Sequence, residues 1–184
     1  MSSNKKNFNY KEKKPNLAKD VFVADGAKLI GDVTIGKKSG IWYNCVLRAD
    51  VNYIKIGEKT NIQDGTIVHV SSIGFSATGG NGYPTIIGDN VTIGHNATVH
   101  ACNIKSNSLI GMGSVILDNA VIGEMSIVAA GCVITPGTQV KDFELWAGNP
   151  GKFIRRIKER EKELIINTPE TYYNLGKEFL KKKF

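Results

Sequence analysis

The sequence predicts an all-β solenoid followed by a C-terminal helical segment. Three observations carry that prediction. An aliphatic side chain recurs every six residues through most of the chain; a small or β-branched residue stands four positions after it; and the pattern stops at a dense turn cluster in "WAGNPGKF", after which the apolar spacing becomes helical.

The aliphatic series begins with Val23, Leu29, Ile35, Ile41 and Leu47 and, after a slip, continues with Ile56, Ile62 and Val68. Past an interruption it resumes at Ile87, Ile93 and Val99, slips again, and runs from Ile104 through Ile110, Ile116, Ile122, Val128 and Ile134 to Val140. An amphipathic helix would space its apolar residues near 3.6, and a half-buried strand would alternate by two, so neither alone gives a sustained six. Short strands joined by turns do. Three of them, about eighteen residues, complete one triangular coil with the aliphatic residues inward, and the coils stack at about 4.8 Å.

Glycine often follows the aliphatic residue, as at Gly36, Gly57, Gly88, Gly94, Gly111 and Gly123. The slot four residues after it holds Ser39, Thr60, Thr66, Val91, Ala97, Ser108, Ser114, Ala120, Ser126 and Thr138, and also Cys45 and Cys132. Both cysteines therefore read as small corner-filling side chains rather than reactive thiols.

The predicted organisation is a basic N-terminal segment over 1–20, the solenoid over 21–147 with an insertion loop about 71–85, and a helical segment over 148–184 packing on the solenoid. Gly148, Asn149, Pro150 and Gly151 form the turn cluster. Ile154, Ile157, Leu164 and Ile165 then give the stripe of a first helix, and Thr168 with Pro169 reads as the N-cap and first position of a second. Tyr172, Tyr173, Phe179 and Leu180 are expected to pack against the body or a neighbour.

A formal charge of +7 raises the prospect of a nucleic-acid or membrane partner, until the charge is located. Residues 1–20 carry six lysines against Glu12 and Asp20, and residues 152–184 carry ten Lys or Arg against five Glu. The middle is slightly acidic, so solvated basic tails are expected, with no nucleic acid and no membrane as partner. No run is apolar enough to span a bilayer, and the opening "MSSNKKNFNY" lacks the centre of a secretory signal, so the expected location is cytoplasmic. The three cysteines Cys45, Cys102 and Cys132 form no CxxC, which fits free thiols in a reducing compartment.

The chain has three histidines, and the repeat assigns each a place. With most of "SSIGFSATGGNGYPT" set aside as an excursion, the coil 56/62/68 lies beneath 87/93/99, so His69 and His100 project outward in one column with Arg48 beneath them. His95 follows Ile93 by two and turns the corner away, above Asp64. Convergence of all three within one prism is awkward; a rotationally symmetric trimer resolves it if one subunit offers His69 and His100 and its neighbour His95. Three imidazoles with an open fourth position suit zinc, with iron or cobalt as alternatives. Cys102 lies two residues past His100, on the same side by strand alternation, but lacks the partner cysteines of a thiolate site and is expected to be a bystander.

The residues "RAD" at 48–50, "NIQDGTIVH" at 61–69 and "GHNATVH" at 94–100 resemble the γ-class carbonic anhydrases, a trimeric branch of the hexapeptide-repeat proteins. The resemblance covers roughly residues 21–146 and implies a left-handed parallel β-helix. It implies metal ligation by His69 and His100 from one subunit and His95 from the next. Gln63 would orient metal-bound water, Asn61 would join its network, and Arg48, Asp50 and Asp64 would form interface ion pairs and hydrogen bonds. The implied activity is reversible hydration of carbon dioxide to bicarbonate, since a bound Zn²⁺ lowers the pKa of water to about 7 and supplies hydroxide at neutral pH.

Two departures from the family pattern bear on rate. Val51 stands where some members have an acidic residue, and the insertion after His69 contains no Asp or Glu to shuttle protons. Three rival functions stay open on the sequence: a hexapeptide acyltransferase using an interface histidine as base, an acyl-coenzyme A thioesterase-like enzyme, and a metal-binding homologue without catalysis.

Overall fold

The structure is a computed structural model and describes residues 6–181. Residues 1–5 of the expected basic segment and 182–184 of the expected helical segment lie outside the described residues. From the N-terminal strands onward the chain coils into a parallel β-solenoid whose stacked strands pair aliphatic on aliphatic.

One face stacks Leu29, Leu47, Val68, Val99, Ile116 and Ile134 in register. A second stacks Val23, Ile41, Ile62, Ile93, Ile110 and Val128. The third stacks Ile35, Ile56, Ile87, Ile104, Ile122 and Val140. Every member from Leu29 to Val140 is buried, and Val23 packs partly buried against them. Burying aliphatic side chains of this size stabilises by about 1.5–3 kcal/mol each, which is what holds coils together that have few contacts within themselves.

The corner slot has a physical reason for its small hydroxyl residues. Ser39, Thr60, Thr66, Ser108, Ser114 and Ser126 are buried, and each donates to a backbone carbonyl of the next coil, of Gly57, Gly88, Gly94, Gly123, Ala129 and Lys141 respectively, at 2.7–3.1 Å. A larger side chain would not fit the corner, and an apolar one would leave those carbonyls with one partner fewer.

The two slips are accommodated differently. The first is an unbroken strand, Val46–Ile56, which turns a corner while pairing with Lys28–Ile35 across an irregularity between Gly31 and Val33. Gly31 has φ of +77°, and a Cβ there would lie 2.2 Å from the Ala49 carbonyl oxygen, so only glycine fits. At the second slip Ala101 takes φ of +50° and rotates the chain. Cys102 consequently faces the core, buried, and not the side of His100 as strand alternation predicts.

The C-terminal segment departs from the predicted two helices. Lys152–Arg156 is a strand, antiparallel to Glu144–Ala147, which itself pairs with Ile127–Val128. The unpaired edge of the solenoid thus captures the segment whose apolar spacing looked helical, leaving Ile154 exposed and Ile157 buried against Ile127 and Ile165. One helix, α1 (Glu159–Lys181), follows and runs straight through Pro169. Thr168 does not cap it; its Oγ1 donates to the Leu164 carbonyl at 2.6 Å. Pro169 deprives the Ile165 carbonyl of its helical donor, and docking on both sides of the proline, through Ile165 and through Gly176 against Phe22, keeps the helix continuous. Tyr172 and Phe179 meet the Trp42 ring edge-on, at 5.3 and 5.7 Å, and anchor α1 across the face that carries Ile41 and Ile62. Among the described residues no helix is long and apolar enough to cross a membrane.

The start of α1 is pinned by a carboxylate. Glu161 accepts two hydrogen bonds from Arg155, at 2.7 and 2.8 Å, and one from the Lys158 backbone N–H at 2.7 Å. Arg155 is the main cause that holds the Glu161 carboxyl down at about 2. The stabilisation is therefore fully present above the carboxyl's ordinary value of 4.5 and fades as the pH falls from there toward about 2, where the unfolded chain binds the extra proton. Glu161→Gln should accordingly show a smaller drop in melting temperature between pH 5 and pH 2.5 than the parent protein, measured by circular dichroism.

Candidate metal centre

Arg48 pairs in register with His69, and His69 with His100, on three successive strands. Each follows an inward aliphatic residue, so the pleat sends all three side chains outward in one column. The two imidazole centroids are 5.2 Å apart with rings tilted by 46°. Thr85 ties their strands together: its Oγ1 donates to the His69 carbonyl at 2.5 Å and accepts from the Ala101 N–H at 2.9 Å.

Carboxylates back both rings. Asp50, on the same side as Arg48, takes the guanidinium on Oδ2 and lies 3.1 Å from His69 Nε2 through Oδ1. Burial pushes the Asp50 carboxyl up, but hydrogen bonds from His69 and Arg48 outweigh it and hold it below the usual range. Burial chiefly lowers the His69 pKa, opposed by its hydrogen bond to Asp50 and reinforced by Arg48 and His100, so the ring is neutral at pH 7. His100 Nδ1 lies 2.5 Å from Oδ1 of Asp118, a buried side chain supplied by the next coil. A shallow cavity of about 230 Å³ opens beside the column, lined by Arg48, Val51, His69, Val70, Phe75 and His100.

His95 stands at a different corner. Its Nδ1 is 2.8 Å from Oδ2 of Asp64, one coil below. Nearby on the same coil Gln63 Nε2 donates to Asn61 Oδ1 at 3.1 Å, and Asn61 Nδ2 donates to Thr92 Oγ1 at 2.9 Å. The predicted site residues thus fall into two groups within one chain: Arg48, Asp50, His69 and His100 in one, and Asn61, Gln63, Asp64 and His95 in the other. A turn at His95 and Asn96, where Asn96 takes φ of +56°, separates His95 from the strand Thr98–His100. Among the described residues no three His, Cys, Asp or Glu side chains of one chain converge so as to hold an ion.

Two residues alter the picture drawn from the sequence. Cys102 is removed from the site by the turn at Ala101, and burial drives its thiol pKa well up, so it is inert. Asp118 was not foreseen, although the repeat contained its signal: it is eighteen residues after His100, one coil up, and two after the inward Ile116.

A family model described as dynactin subunit 5 matches residues 12–181. Gamma carbonic anhydrase 2, mitochondrial, of Arabidopsis thaliana is 46% identical over 92% of this chain, and the chain spans 60% of the length of that protein. A carbonic anhydrase of Geobacillus kaustophilus is 41% identical over 86% of this chain and 84% of its own. Among solved structures, a hexapeptide transferase family protein of Anaplasma phagocytophilum superposes with a TM-score of 0.86 and 43% identity, covering 94% of this chain and 97% of that one. By these matches the chain belongs to the family of the dynactin subunit 5 model and to the γ-class carbonic anhydrase family of hexapeptide-repeat β-solenoids.

Proposed function

We propose that this protein is a metal-dependent carbonic anhydrase that hydrates carbon dioxide reversibly to bicarbonate at a site shared between subunits of a trimer. The observation that carries the proposal is the pair of outward imidazoles 5.2 Å apart, with a third imidazole one corner away, each backed by a carboxylate on one ring nitrogen.

The donor set fits the group. Among the described residues the second ring nitrogen of each histidine has no hydrogen-bond partner, and the carboxylate on the first fixes the ring and raises its basicity, as in metal-bound histidines generally. His69 and His100, with His95 of the partner subunit, would hold zinc, iron or cobalt. When bound, such an ion supplies Lewis acidity that makes water a nucleophile at neutral pH.

The remaining roles belong to the chain itself. Gln63, held by Asn61, offers an amide that hydrogen-bonds water or bicarbonate without neutralising an anion. Arg48 stays charged, and its ion pair with Asp50 leaves it to orient His69 rather than act as a base. Asp64 positions His95 toward the neighbour. Phe75, which lines the cavity and is 85% exposed, and Ile73, 71% exposed on the same insertion loop, supply apolar surface for a partner subunit to cover. Because that loop offers no carboxylate to export protons, the hydration rate should rise with buffer concentration at fixed pH, measured by stopped flow.

Subunit mixing tests the shared site. His95→Ala and His100→Ala should each be inactive alone. Co-folded in equal amounts they should recover about a quarter of wild-type activity, since random mixing puts the two intact halves at one interface in about one case in four. No recovery, with mixed trimers demonstrated by mass, would overturn the proposal. A second reading comes from the likeness to the hexapeptide transferase family protein of Anaplasma phagocytophilum; turnover of an acyl-coenzyme A by metal-free protein would favour it.

A further inference from the structure

We infer that Asp118 is the positioning residue for His100: its buried carboxylate holds the imidazole in one orientation and one tautomer, with the proton on Nδ1 and Nε2 left bare as a ligand. The inference rests on the metal-site reading given above and adds a residue to it.

The slot two residues after an inward aliphatic holds other aspartates: Asp64, after Ile62, pairs with His95, while two more show a backbone-capping use of the position. Asp89, after Ile87, accepts the backbone N–H of Glu58 at 2.7 Å; Asp142, after Val140, accepts that of Glu124 at 2.8 Å. Both are exposed, and both cap a turn of the coil below. Asp118 departs from them on each count. The equivalent N–H below it, of Ala101, is already given to the His69 carbonyl and to Thr85 Oγ1. Asp118 is only 5% exposed, and among the described residues the one group that its Oδ1 engages is His100 Nδ1.

Its second oxygen sharpens the point. Asp118 Oδ2 is buried with no hydrogen-bond partner among the described residues. A buried acceptor left unanswered destabilises a fold, so a residue serving stability alone has no reason to present one here. The carboxylate accepts and cannot donate, so the shared proton sits on Nδ1 and the lone pair on Nε2. His69 contrasts with this arrangement, because its carboxylate, Asp50, is shared with Arg48. Among the described residues His100 has Asp118 alone.

The test uses the full-length protein and reads three quantities. In metal-free, ¹⁵N-histidine-labelled protein, His100 should show a single Nδ1–H tautomer by NMR, and Asp118→Asn, whose amide can rotate to donate, should show a mixture. Zinc affinity, measured by competition with a chromophoric chelator, should fall about 10–100-fold in Asp118→Asn and Asp118→Leu. The melting temperature of metal-free Asp118→Leu should equal or exceed that of the parent. A wild-type His100 protonated on Nε2, or zinc affinity unchanged in the variants, would overturn the inference. So would an affinity loss seen only where the variant also melts early, which would make Asp118 structural. Wild-type protein that takes up no zinc while keeping the Nδ1–H tautomer would instead overturn the metal site and leave the positioning of the ring standing.

Discussion

Replacement of His95 by alanine is expected to reduce carbon dioxide hydration by more than about 100-fold and to empty the protein of metal, because a three-histidine site that loses one ligand loses more than the 10–100-fold typical of outer-shell changes. The side chain is 38% exposed and its contact is with Asp64, so folding should not change by more than about 0.5 kcal/mol. Stopped-flow hydration assays and elemental analysis measure the two effects together. The expected result is about one metal ion per subunit in the parent, near none in the variant, and matching melting curves once metal is removed from both. Full activity with metal retained would remove His95 from the site and with it the reason for a shared interface.

The second large effect lies far from the site. Ile110→Ala should cost about 2–5 kcal/mol, since Ile110 is fully buried between Ile93 below and Val128 above and the stack cannot close over the void. For a chain of this size that corresponds to a melting temperature lower by about 5–15 °C. Gly111→Ala should also destabilise, by overpacking, because its Cβ would sit 2.3 Å from the backbone nitrogen of Ala130. Hydrogen exchange should locate the damage: amides of the coils holding Ile93, Ile110 and Val128 should exchange faster, and those of the first coil should change least, because each coil is supported mainly by its neighbours.

The parts of this structure that the sequence made legible share one property. A six-residue period fixes both which residue points inward and which residue stacks on which, so a column such as Arg48, His69 and His100 can be derived by counting. Counting fails where the chain leaves the period. Cys102 was placed beside His100 by strand alternation, and the left-handed turn at Ala101 undid that. Lys152–Arg156 carried apolar spacing that suited a helix, but an open edge of backbone donors and acceptors beside it favoured a strand. Pro169 read as a helix start because local propensity knows nothing of Trp42 and Phe22, on which α1 rests. Asp118 obeys the period, but a carboxylate that backs a histidine is recognised only once the fold has placed that histidine beside it.

The strand Lys152–Arg156 carries one more consequence. A solenoid of parallel coils ends, in principle, in a surface shaped to accept another coil, and a second molecule offering its first coil would extend the stack into a fibre. Here the last strand on the helix-bearing face runs the opposite way, while the turn before it covers the adjacent face, with the Val133 N–H bonded to the Gly148 carbonyl and the Gly151 N–H to the Val133 carbonyl. An incoming parallel coil meets a template of the wrong polarity and finds the Val133 donors and acceptors already occupied. The reversal of one short strand, with the turn before it, thus closes two of the three faces to an added coil.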